Sequence, residues 1–417
     1  MGLHPPYARI TLRQVLRYTQ VEILFVNRFL PHANIRNSGG LDVYHYISAL
    51  SQDHSVSLIA FVTADQEAAL ESMQALCRRV VAVPYSMHGL APRLWRAAWR
   101  LLLPRVYGRV ISIRYLRRIR QMLSQVRYDL VVVDGMMAPY SKLINGPQTV
   151  LDEWDISSVL AYHGYRNEKS LLPRAWSQLD WLRTQAFELH YAASCNSVLV
   201  RSEQDRKILH TYLPDKRIEV VAPWFEGLAE LCEVEAVRPP GNRLLFVGAM
   251  YMPANVEAVI FFVHRVLPLV RRQVPDAEFH IVGSAPTPDV LRLASEDGVV
   301  VVGEVPDLTP YYQQSAVNIV PRLTGGGIIV KTLNGLAAAR PTVTTHAGNS
   351  GTGAQSGRDL LVVDQEPEAF ASAVVRLLRN RDLWEQIAAN GRSYIAENYD
   401  WEVTCGVLEN LVQRTRS

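Results

Sequence analysis

Short runs of aliphatic and β-branched residues alternate with helix-like patterns along most of the chain. Apolar runs bounded by turn residues predict strands, and apolar positions three and four apart predict helices between them. Strands that alternate with helices are typical of parallel sheets covered by helices on both faces. The predicted strands are Val21–Phe29, Ser55–Thr63, Val80–Val83, Leu130–Asp134, Gln148–Leu151, Val198–Arg201 and Ile218–Val221, then Arg243–Val247, Glu278–Val282, Val299–Val302, Val317–Val320, Pro341–Thr345 and Leu360–Val363.

The pattern is interrupted at Pro239-Pro240-Gly241, a sequence typical of a linker or hinge. Each half opens with a similar strand, Glu22–Val26 and Arg243–Val247, and each strand leads into a turn-rich loop. We therefore predict two doubly wound, Rossmann-like α/β domains that face a central cleft, over residues 1–238 and 239–398. Ligands are expected at the carboxyl ends of the strands.

The composition adds that the chain is globular, because 48% of its 417 residues are hydrophobic and 20% are charged. Disordered, collagen-like and coiled-coil chains have other compositions. The longest apolar stretch, Arg243–Val270, is interrupted by Pro253, Glu257 and His264, so we predict no membrane span and no signal peptide. None of the four cysteines has metal-ligand or redox spacing, which indicates a reducing, cytoplasmic compartment.

Positive charge is concentrated between Glu71 and Asp129, where twelve arginines occur without any acidic residue. Within residues 93–120, Trp95, Trp99 and several leucines interleave with these arginines. This pattern favours contact with an anionic membrane surface. A solvated helical face, whose side-chain stems pack on the domain, is the alternative. Nucleic acid is a third alternative, which we do not expect to be the partner.

The most specific motif is Thr324-Gly325-Gly326-Gly327-Ile328-Ile329-Val330-Lys331-Thr332-Leu333-Asn334. It follows a predicted strand and begins a helix that ends before Pro341. Glycines let the backbone approach a ligand closely, and a helix N-terminus attracts anions. Lys331 and Asn334 are three residues apart, so they share a helix face. We predict a phosphate site here, and a tight turn before a core helix is the alternative.

Other candidate residues follow the predicted strands. Gly39-Gly40 lies at the matching loop of the first domain, or is only a helix-start turn capped by Ser38. Gly248 and Gly283 each end a strand and are weaker candidates. Asp134 ends the strand Leu130–Asp134 and is predicted to orient or deprotonate an acceptor hydroxyl, with a helix cap or salt bridge as the alternative.

Asp152, Glu153 and Asp155 are three carboxylates within a short segment, but no histidine joins them and the chain has no Asp-x-Asp. We therefore predict no metal site. Gly-x-Ser-x-Gly is also absent from the sequence, so hydrolase chemistry has no support.

The second half of the chain resembles the donor domain of GT-B glycosyltransferases of the family-4 type. The resemblance runs in order through Phe246-Val247-Gly248-Ala249-Met250, Pro253–Ala258, Val274–Gly283, Val302–Leu308, the glycine motif with Lys331, and Tyr399-Asp400-Trp401-Glu402. The first half is similar more weakly, through Gly39-Gly40 and Ser202–Arg206.

This resemblance implies a retaining transferase that uses a nucleotide-diphosphate sugar. Gly325, Gly326, Gly327 and Lys331 would hold the diphosphate, and Lys331 would stabilise charge on the leaving phosphate. Gly303 with Glu304 and Val305 would contact the base. The acceptor would lie beside Gly39, Gly40 and Asp134. A C-terminal helix in residues 399–417 would cross back to the first domain.

Four positions depart from the family pattern. Asn334 stands where the family usually has a glutamate that contacts the donor ribose. Ile328 and Ile329 replace the usual Thr-Arg, which leaves Arg322 as the candidate to neutralise the diphosphate. Asp134 stands near a position where many members carry a histidine.

From this sequence we predict a metal-independent glycosyltransferase that needs no cofactor. Its partners would be a nucleotide sugar and a lipid-linked or saccharide acceptor. It would act in bacterial polysaccharide or glycolipid assembly, bound peripherally to the inner face of the plasma membrane. A non-catalytic binding or scaffold protein on the same fold is the alternative, and a nucleotide-sugar epimerase is a third.

Overall fold

The strands of the chain form two separate parallel sheets. A computed structural model describes residues 20–415 except 34, 36, 37, 64, 86–102, 224–226, 325 and 326. The first sheet contains β1 (Glu22–Asn27), β2 (Ser55–Val62), β3 (Arg79–Pro84), β4 (Leu130–Asp134), β5 (Gln148–Asp152), β6 (Ser197–Val200) and β7 (Arg217–Val220). The second contains β8 (Arg243–Val247), β9 (Glu278–Val282), β10 (Val299–Gly303), β11 (Val317–Val320), β12 (Thr342–Thr345) and β13 (Leu361–Val363).

Both sheets have the same strand order. The first is β3-β2-β1-β4-β5-β6-β7 and the second is β10-β9-β8-β11-β12-β13. The order reverses beside β1 in the first sheet and beside β8 in the second. Crevices for ligands form at the carboxyl ends of the strands at such switch points. The predicted fold class, two doubly wound Rossmann-like domains, is confirmed.

Helices cover both faces of the first sheet. They are α1 (Ser38–Leu50), α2 (Glu67–Leu76), α3 (Arg105–Gly108), α4 (Ile113–Gln125), a 3₁₀ segment (Gly135–Leu143), α5 (Ser157–Asn167), α6 (Leu171–Ser194) and α7 (Glu203–Tyr212). One face packs against α1 and α2 through residues such as Val43, Ile47 and Met73. The other face packs against α3, α4, the 3₁₀ segment and the end of α6.

The second sheet is also covered on both faces. Its helices are α8 (Leu228–Cys232), α9 (Pro253–Phe261), a π-helical turn (Phe262–Val266), α10 (Leu267–Gln273), α11 (Pro288–Arg292), α12 (Thr309–Gln313), α13 (Val330–Ala337), α14 (Pro367–Arg379) and α15 (Arg381–Asn398), with a 3₁₀ turn at Leu293–Ser295. The chain then ends in α16 (Trp401–Arg414). The face that packs α9, α10 and α14 carries the larger apolar core.

Several helices begin where the sequence supplies a capping side chain. Asn380 Oδ1 accepts a hydrogen bond from Leu383 N at 2.9 Å, and Asp400 Oδ1 accepts one from Glu402 N at 2.7 Å. Proline is the first residue of α9 and α14, where its missing N–H costs no intrahelical hydrogen bond. These local signals fix where α9, α14, α15 and α16 start.

The last helix, α16, packs on the first domain. Leu408, Leu411 and Val412 are buried in the core that contains β1 and α1. The backbone carbonyl of Arg414 accepts a hydrogen bond from Gln148 Nε2 at 2.9 Å. The chain therefore returns from the second domain to the first at its end.

The boundary between the domains lies earlier than residue 238, where the sequence pattern put it. Leu228, Leu231 and Val234 pack in a core with residues of the second domain. The buried Arg340 guanidinium donates hydrogen bonds of 2.8 Å to the carbonyls of Val237 and Glu235. Because Arg238 also bonds the Leu378 carbonyl, the chain on the N-terminal side of Pro239 is fixed to the second domain. In this structure the segment just before Pro239 therefore packs with the second domain.

One continuous helical run, Pro253–Gln273, is long and apolar enough to cross a membrane when judged by length and composition alone. In this structure its inward side packs in the second domain's core, through Val259, Phe262, Val266 and Val270. The run therefore serves as a core helix of this domain.

Candidate active site

Lys331 lies in the crevice at the switch point of the second sheet. It is the second residue of α13, and its Nζ donates a hydrogen bond of 2.6 Å to Asn255 Oδ1. The same nitrogen lies 5.1 Å from the ring centroid of Phe246, on β8. An amide oxygen and a ring face thus hold a buried ammonium group at the strand ends. Among the described residues, no carboxylate forms a salt bridge with it. Such a cation is suited to bind an anion.

Two glycines make room for this arrangement. A Cβ atom on Gly248 would lie 2.9 Å from Asn255 Nδ2 and 3.2 Å from Lys331 Cε. A Cβ atom on Gly283 would lie only 1.8 Å from the carbonyl oxygen of Gly248. Both predicted glycines therefore lie together beside Lys331, and close packing requires both.

Asn255 is a site residue that the sequence reasoning missed. It is buried in the first turn of α9, and its Nδ2 donates a hydrogen bond of 2.9 Å to the carbonyl of Ala249. Its other side-chain atom, Oδ1, accepts from Lys331. Asn255 thus joins the first loop of the domain to the lysine. It occurs within the segment that carries the family resemblance, but nothing in its local sequence indicates a partner 76 residues away.

Burial and, to a smaller extent, the nearby positive charge of Arg322 together lower the pKa of Lys331 to about 8. Burial also lowers the pKa of Arg322, whose Nε donates a hydrogen bond of 2.7 Å to the carbonyl of Thr324. The structure thus places the two predicted cations close enough to interact. Two neighbouring cations favour occupation by a multiply charged anion such as a diphosphate.

The glycine motif is only partly described, since Gly325 and Gly326 lie outside the described residues. Gly327 has φ +75°, and a Cβ atom there would lie 3.0 Å from Asp155 Oδ1. The loop therefore reaches across the cleft to the first domain. The helix α13 begins at Val330, so the glycines precede the helix and do not form its first turn.

The other predicted donor residues surround the same edge. Asn334 is buried beside the hydroxyl of Tyr312, whose pKa is raised by burial. It lies on α13 one turn after Lys331, on the side that faces the domain interior. Glu304 is exposed after β10, and Val305 packs partly against the core beneath it. Contacts of these residues with a base or a ribose stay predictions.

The Lys331 site should take up a proton when it binds a nucleoside diphosphate at high pH. Because the pKa of the free lysine is about 8, it is largely neutral near pH 9, and a bound anion favours its charged form. Binding should therefore consume about one proton near pH 9 and almost none near pH 7. Calorimetry in two buffers of different ionisation enthalpy measures this uptake.

Asn255→Ala is the matched variant for this measurement. It removes the oxygen that accepts from the ammonium group, so the pKa of Lys331 should fall further and the uptake should begin at lower pH. Equal heats in both buffers at both pH values would contradict the assignment of the anion to Lys331.

Asp134 lies at the switch point of the first sheet, but its carboxylate is already occupied. Its Oδ1 accepts a hydrogen bond from Met136 N at 2.9 Å, and its Oδ2 lies 3.2 Å from Arg28 Nε. Burial raises its pKa to about 6, against the opposing effect of Arg28. Both structural alternatives for Asp134, a helix cap and a salt bridge, are therefore realised, and a role as general base is not needed to explain it.

Gly39 and Gly40 lie in the first turn of α1, at the same edge of the first sheet. A Cβ atom on Gly39 would lie 2.8 Å from the Trp154 ring. Close packing against Trp154 therefore requires Gly39, whether or not an acceptor binds beside it. This agrees with the helix-start alternative.

Arg201 and four carboxylates fill the interior below Asp155. Arg201 Nη2 lies 2.8 Å from Asp152 Oδ1, and its Nε lies 3.5 Å from Asp42 Oδ2. Burial raises the pKa of Glu153, and the negative charges of Glu188, Asp134 and Asp152 raise it further. Burial also raises the pKa of Glu188 to about 7, against the lowering effect of its hydrogen bonds with Ser158. The sequence drew attention to Asp152 and Glu153 but did not indicate that Arg201 pairs with Asp152.

Among the described residues, no group of three His, Cys, Asp or Glu side chains is placed to hold a metal ion.

The predicted membrane segment is described only in part. Arg93, Arg96 and Arg100 lie outside the described residues, with Trp95 and Trp99. Arg114, Arg117, Arg118 and Arg120 are exposed on α4, whose Tyr115, Ile119 and Met122 pack inward. This is the amphipathic face that the solvated alternative predicts.

The two Rossmann-like domains and the buried cation site between them define the architecture of GT-B glycosyltransferases. Residues 241–380 match the family model described as glycosyl transferases group 1. An uncharacterized 44.6 kDa protein in the cps region of Klebsiella pneumoniae is 25% identical over 397 residues, which is 91% of this chain and 96% of that protein.

A GDP-mannose-dependent α-(1-6)-phosphatidylinositol monomannoside mannosyltransferase of Mycobacterium tuberculosis is 27% identical over 164 residues, 35% of this chain and 42% of that protein. Sucrose-phosphate synthase from Thermosynechococcus elongatus superposes with a TM-score of 0.65 at 14% identity, covering 94% of this chain and 98% of that chain. At that identity the similarity shows the fold. The chain therefore has the fold of the GT-B glycosyltransferases, and residues 241–380 of its second domain are similar to the group 1 glycosyl transferases.

Proposed function

We propose that this glycosyltransferase moves a sugar from a nucleotide-diphosphate sugar to a hydroxyl of a saccharide or lipid-linked acceptor, with retention of configuration. The observation that carries the proposal is the buried Lys331 ammonium beside Gly248 and Gly283. It is a cation that pairs with no carboxylate among the described residues, and it lies in the crevice where doubly wound domains bind phosphates. Retention is what the family-4 resemblance implies.

The leaving diphosphate would lie against Lys331 and Arg322. Negative charge grows on its oxygen as the bond to the sugar breaks, and a fixed cation there stabilises the transition state more than the ground state. These two side chains supply positive charge at the position where many transferases use a divalent metal. We therefore propose metal-independent transfer without a cofactor, which activity in the presence of a chelator would test.

The biological setting is proposed from the relatives. A protein 25% identical over most of this chain is described by its position in a cps region, and another relative is named for a phosphatidylinositol mannoside acceptor. We propose a role in polysaccharide or glycolipid assembly at the cytoplasmic face of a membrane. The exposed arginines of α4 support contact with anionic lipids there.

The first test is the thermal stability of the purified chain against nucleoside diphosphates and their sugars, including UDP and GDP. A ligand present at about one hundred times its Kd adds about 2.7 kcal/mol to the stability of the folded state. We expect one base to raise Tm selectively, with the matching nucleoside as the control that lacks phosphate. If the nucleoside were as effective as its diphosphate, the phosphate site would be assigned wrongly.

Asn334 motivates the second candidate, a binding protein without catalysis. It replaces the family's glutamate, and its side chain lies beside Tyr312 in the domain interior. This candidate expects no stabilisation by any nucleotide sugar and no turnover. The same thermal measurement therefore separates the two.

A further inference from the structure

Helices α5 and α6 form a hairpin that extends beyond the first sheet. The buried residues of α6 are Thr184, Glu188 and Ala192, all in its C-terminal part. Its N-terminal part packs on α5, where the rings of Tyr165 and Trp181 stack with centroids 5.8 Å apart. The hairpin thus has a small aromatic core of its own, and the first half of α6 is left largely open to solvent.

The open side of α6 carries large apolar residues, which we call the hairpin stripe: Leu171, Leu172, Trp176, Leu179 and Leu182. Leu171 is 86% exposed, Leu172 79% and Trp176 57%. Leu172, Trp176 and Leu179 follow one another at spacings of four and three, so they point to the same side of the helix. Soluble domains rarely expose a contiguous apolar surface of this kind unless it contacts something.

The charges around the stripe identify what that contact is. Arg166, Lys169 and Arg174 are exposed at the tip of the hairpin. Two acids occur in the same region, and both have partners within the chain. Glu168 Oε1 accepts from Ser170 N at 3.1 Å, and Asp180 Oδ1 accepts from Arg105 N at 3.0 Å. The three exposed cations outnumber the two acids, so the stripe is an apolar surface whose rim carries a net positive charge.

Further exposed cations lie on the same face of the sheet. Arg105 and Arg109 flank the short helix α3, which packs on α6 through Tyr107 and Phe187 with ring centroids 5.9 Å apart. The exposed arginines of α4 lie on this face as well. Leucine and tryptophan side chains bordered by arginine and lysine suit the interface of an anionic bilayer, where the apolar groups enter the acyl boundary and the cations meet phosphates.

The hairpin also stands next to the cleft. Helix α5 begins two residues after Asp155, whose carboxylate faces Gly327 of the donor domain. Its 11 residues span about 16 Å, so the tip of the hairpin lies only that far from the rim of the cleft. A bilayer touching the stripe would bring its headgroups near the side of the cleft that belongs to the first domain.

We propose that the hairpin stripe inserts into the surface of an anionic phospholipid bilayer and holds the cleft against it. Membrane contact would deliver a lipid-linked acceptor to the cleft, and this consequence rests on the proposed function. The binding of the stripe to lipid does not rest on it. The apolar stripe lies outside residues 93–120, the segment that the sequence pointed to, and that segment contributes only the neighbouring exposed arginines.

Sedimentation with vesicles tests this on the full chain. Wild-type protein should bind phosphatidylglycerol–phosphatidylcholine vesicles and bind pure phosphatidylcholine vesicles much more weakly. Leu172→Glu with Trp176→Glu should lower the partition coefficient on the mixed vesicles at least about tenfold, because two apolar side chains no longer enter the interface. Leu291→Glu is the matched control, since Leu291 is 52% exposed on α11 of the second domain, and it should bind like the wild type.

Two results would overturn the proposal. One is unchanged vesicle binding by the double variant. The other is that light scattering finds the wild type as a dimer and the double variant as a monomer, while neither binds vesicles. The stripe would then be an interface between two copies of this chain. Nucleotide-induced thermal shifts measured on the same samples keep the two proposals separate. If the double variant loses lipid binding but keeps the thermal shift, the result supports the stripe. If the wild type binds lipid but shows no thermal shift, the result contradicts only the donor site.

Discussion

Lys331→Met is expected to lower the rate of sugar transfer by about 10²- to 10³-fold, with a smaller effect on acceptor KM. Methionine keeps most of the volume of the lysine stem between Gly248 and Phe246 but carries no charge. The stabilisation lost is therefore that of charge on the leaving phosphate. The measurement is kcat with the donor sugar that the thermal panel selects, at a pH near 7, where Lys331 is protonated.

The control for this variant is Arg272→Met, which removes an exposed cation from α10 of the same domain. It should leave kcat unchanged, because only a cation in the cleft meets the diphosphate. The thermal stability of Lys331→Met should not fall greatly, since removing a charge whose pKa is depressed by burial offsets the lost bond to Asn255. Full activity in Lys331→Met would remove the central residue of the proposed mechanism.

The sequence indicated those features that are local in the chain. Strands such as Leu130–Asp134 and Arg243–Val247 are runs of β-branched and aliphatic residues between turns, and each forms where it was expected. The motif around Lys331 could also be recognised from the sequence, because its glycines, its lysine and the start of the helix lie within one short segment. The resemblance to GT-B transferases then followed from the order of such segments, and the fold confirms it.

Features that depend on contacts between distant residues were not predictable. Asn255 and Lys331 are 76 residues apart, and only the folding of the second domain brings their side chains together. The true boundary was hidden for the same reason, because Arg340 holds the carbonyls of Glu235 and Val237 from more than one hundred residues away. Asp134 was expected to act on an acceptor in the cleft. In the structure its carboxylate instead accepts a hydrogen bond from Met136 N and forms a salt bridge with Arg28, two contacts that its local sequence does not indicate.

Arg201→Met is expected to destabilise the folded chain by about 3–5 kcal/mol, the usual cost of leaving a buried charge without its partner. The guanidinium is buried, pairs with Asp152 and Asp42, and lies 4.1 Å from the Trp154 ring centroid. Methionine fills most of the space but leaves two buried carboxylates facing each other. Urea unfolding monitored by far-UV circular dichroism measures the change.

The pH dependence of this loss distinguishes charge from packing. Burial already raises the pKa of Asp152, and removing Arg201 removes the main effect that opposes it. A carboxyl whose folded-state pKa is raised keeps its stability below the unfolded pKa and loses it as pH rises through the folded value. The deficit of Arg201→Met should therefore be small near pH 4 and grow toward pH 7, by up to about 1.4 kcal/mol per pH unit for each carboxyl.

Arg340→Met is the matched control, because Arg340 is a buried arginine that donates hydrogen bonds to the carbonyls of Tyr312, Val237 and Glu235. Its removal leaves oxygen acceptors unsatisfied but exposes no buried carboxylate. Its deficit should therefore stay constant between pH 4 and pH 7. If the two variants had the same pH profile, the carboxylates around Arg201 would not be ionised in the folded protein. The charge balance inferred at the base of the cleft would then be wrong.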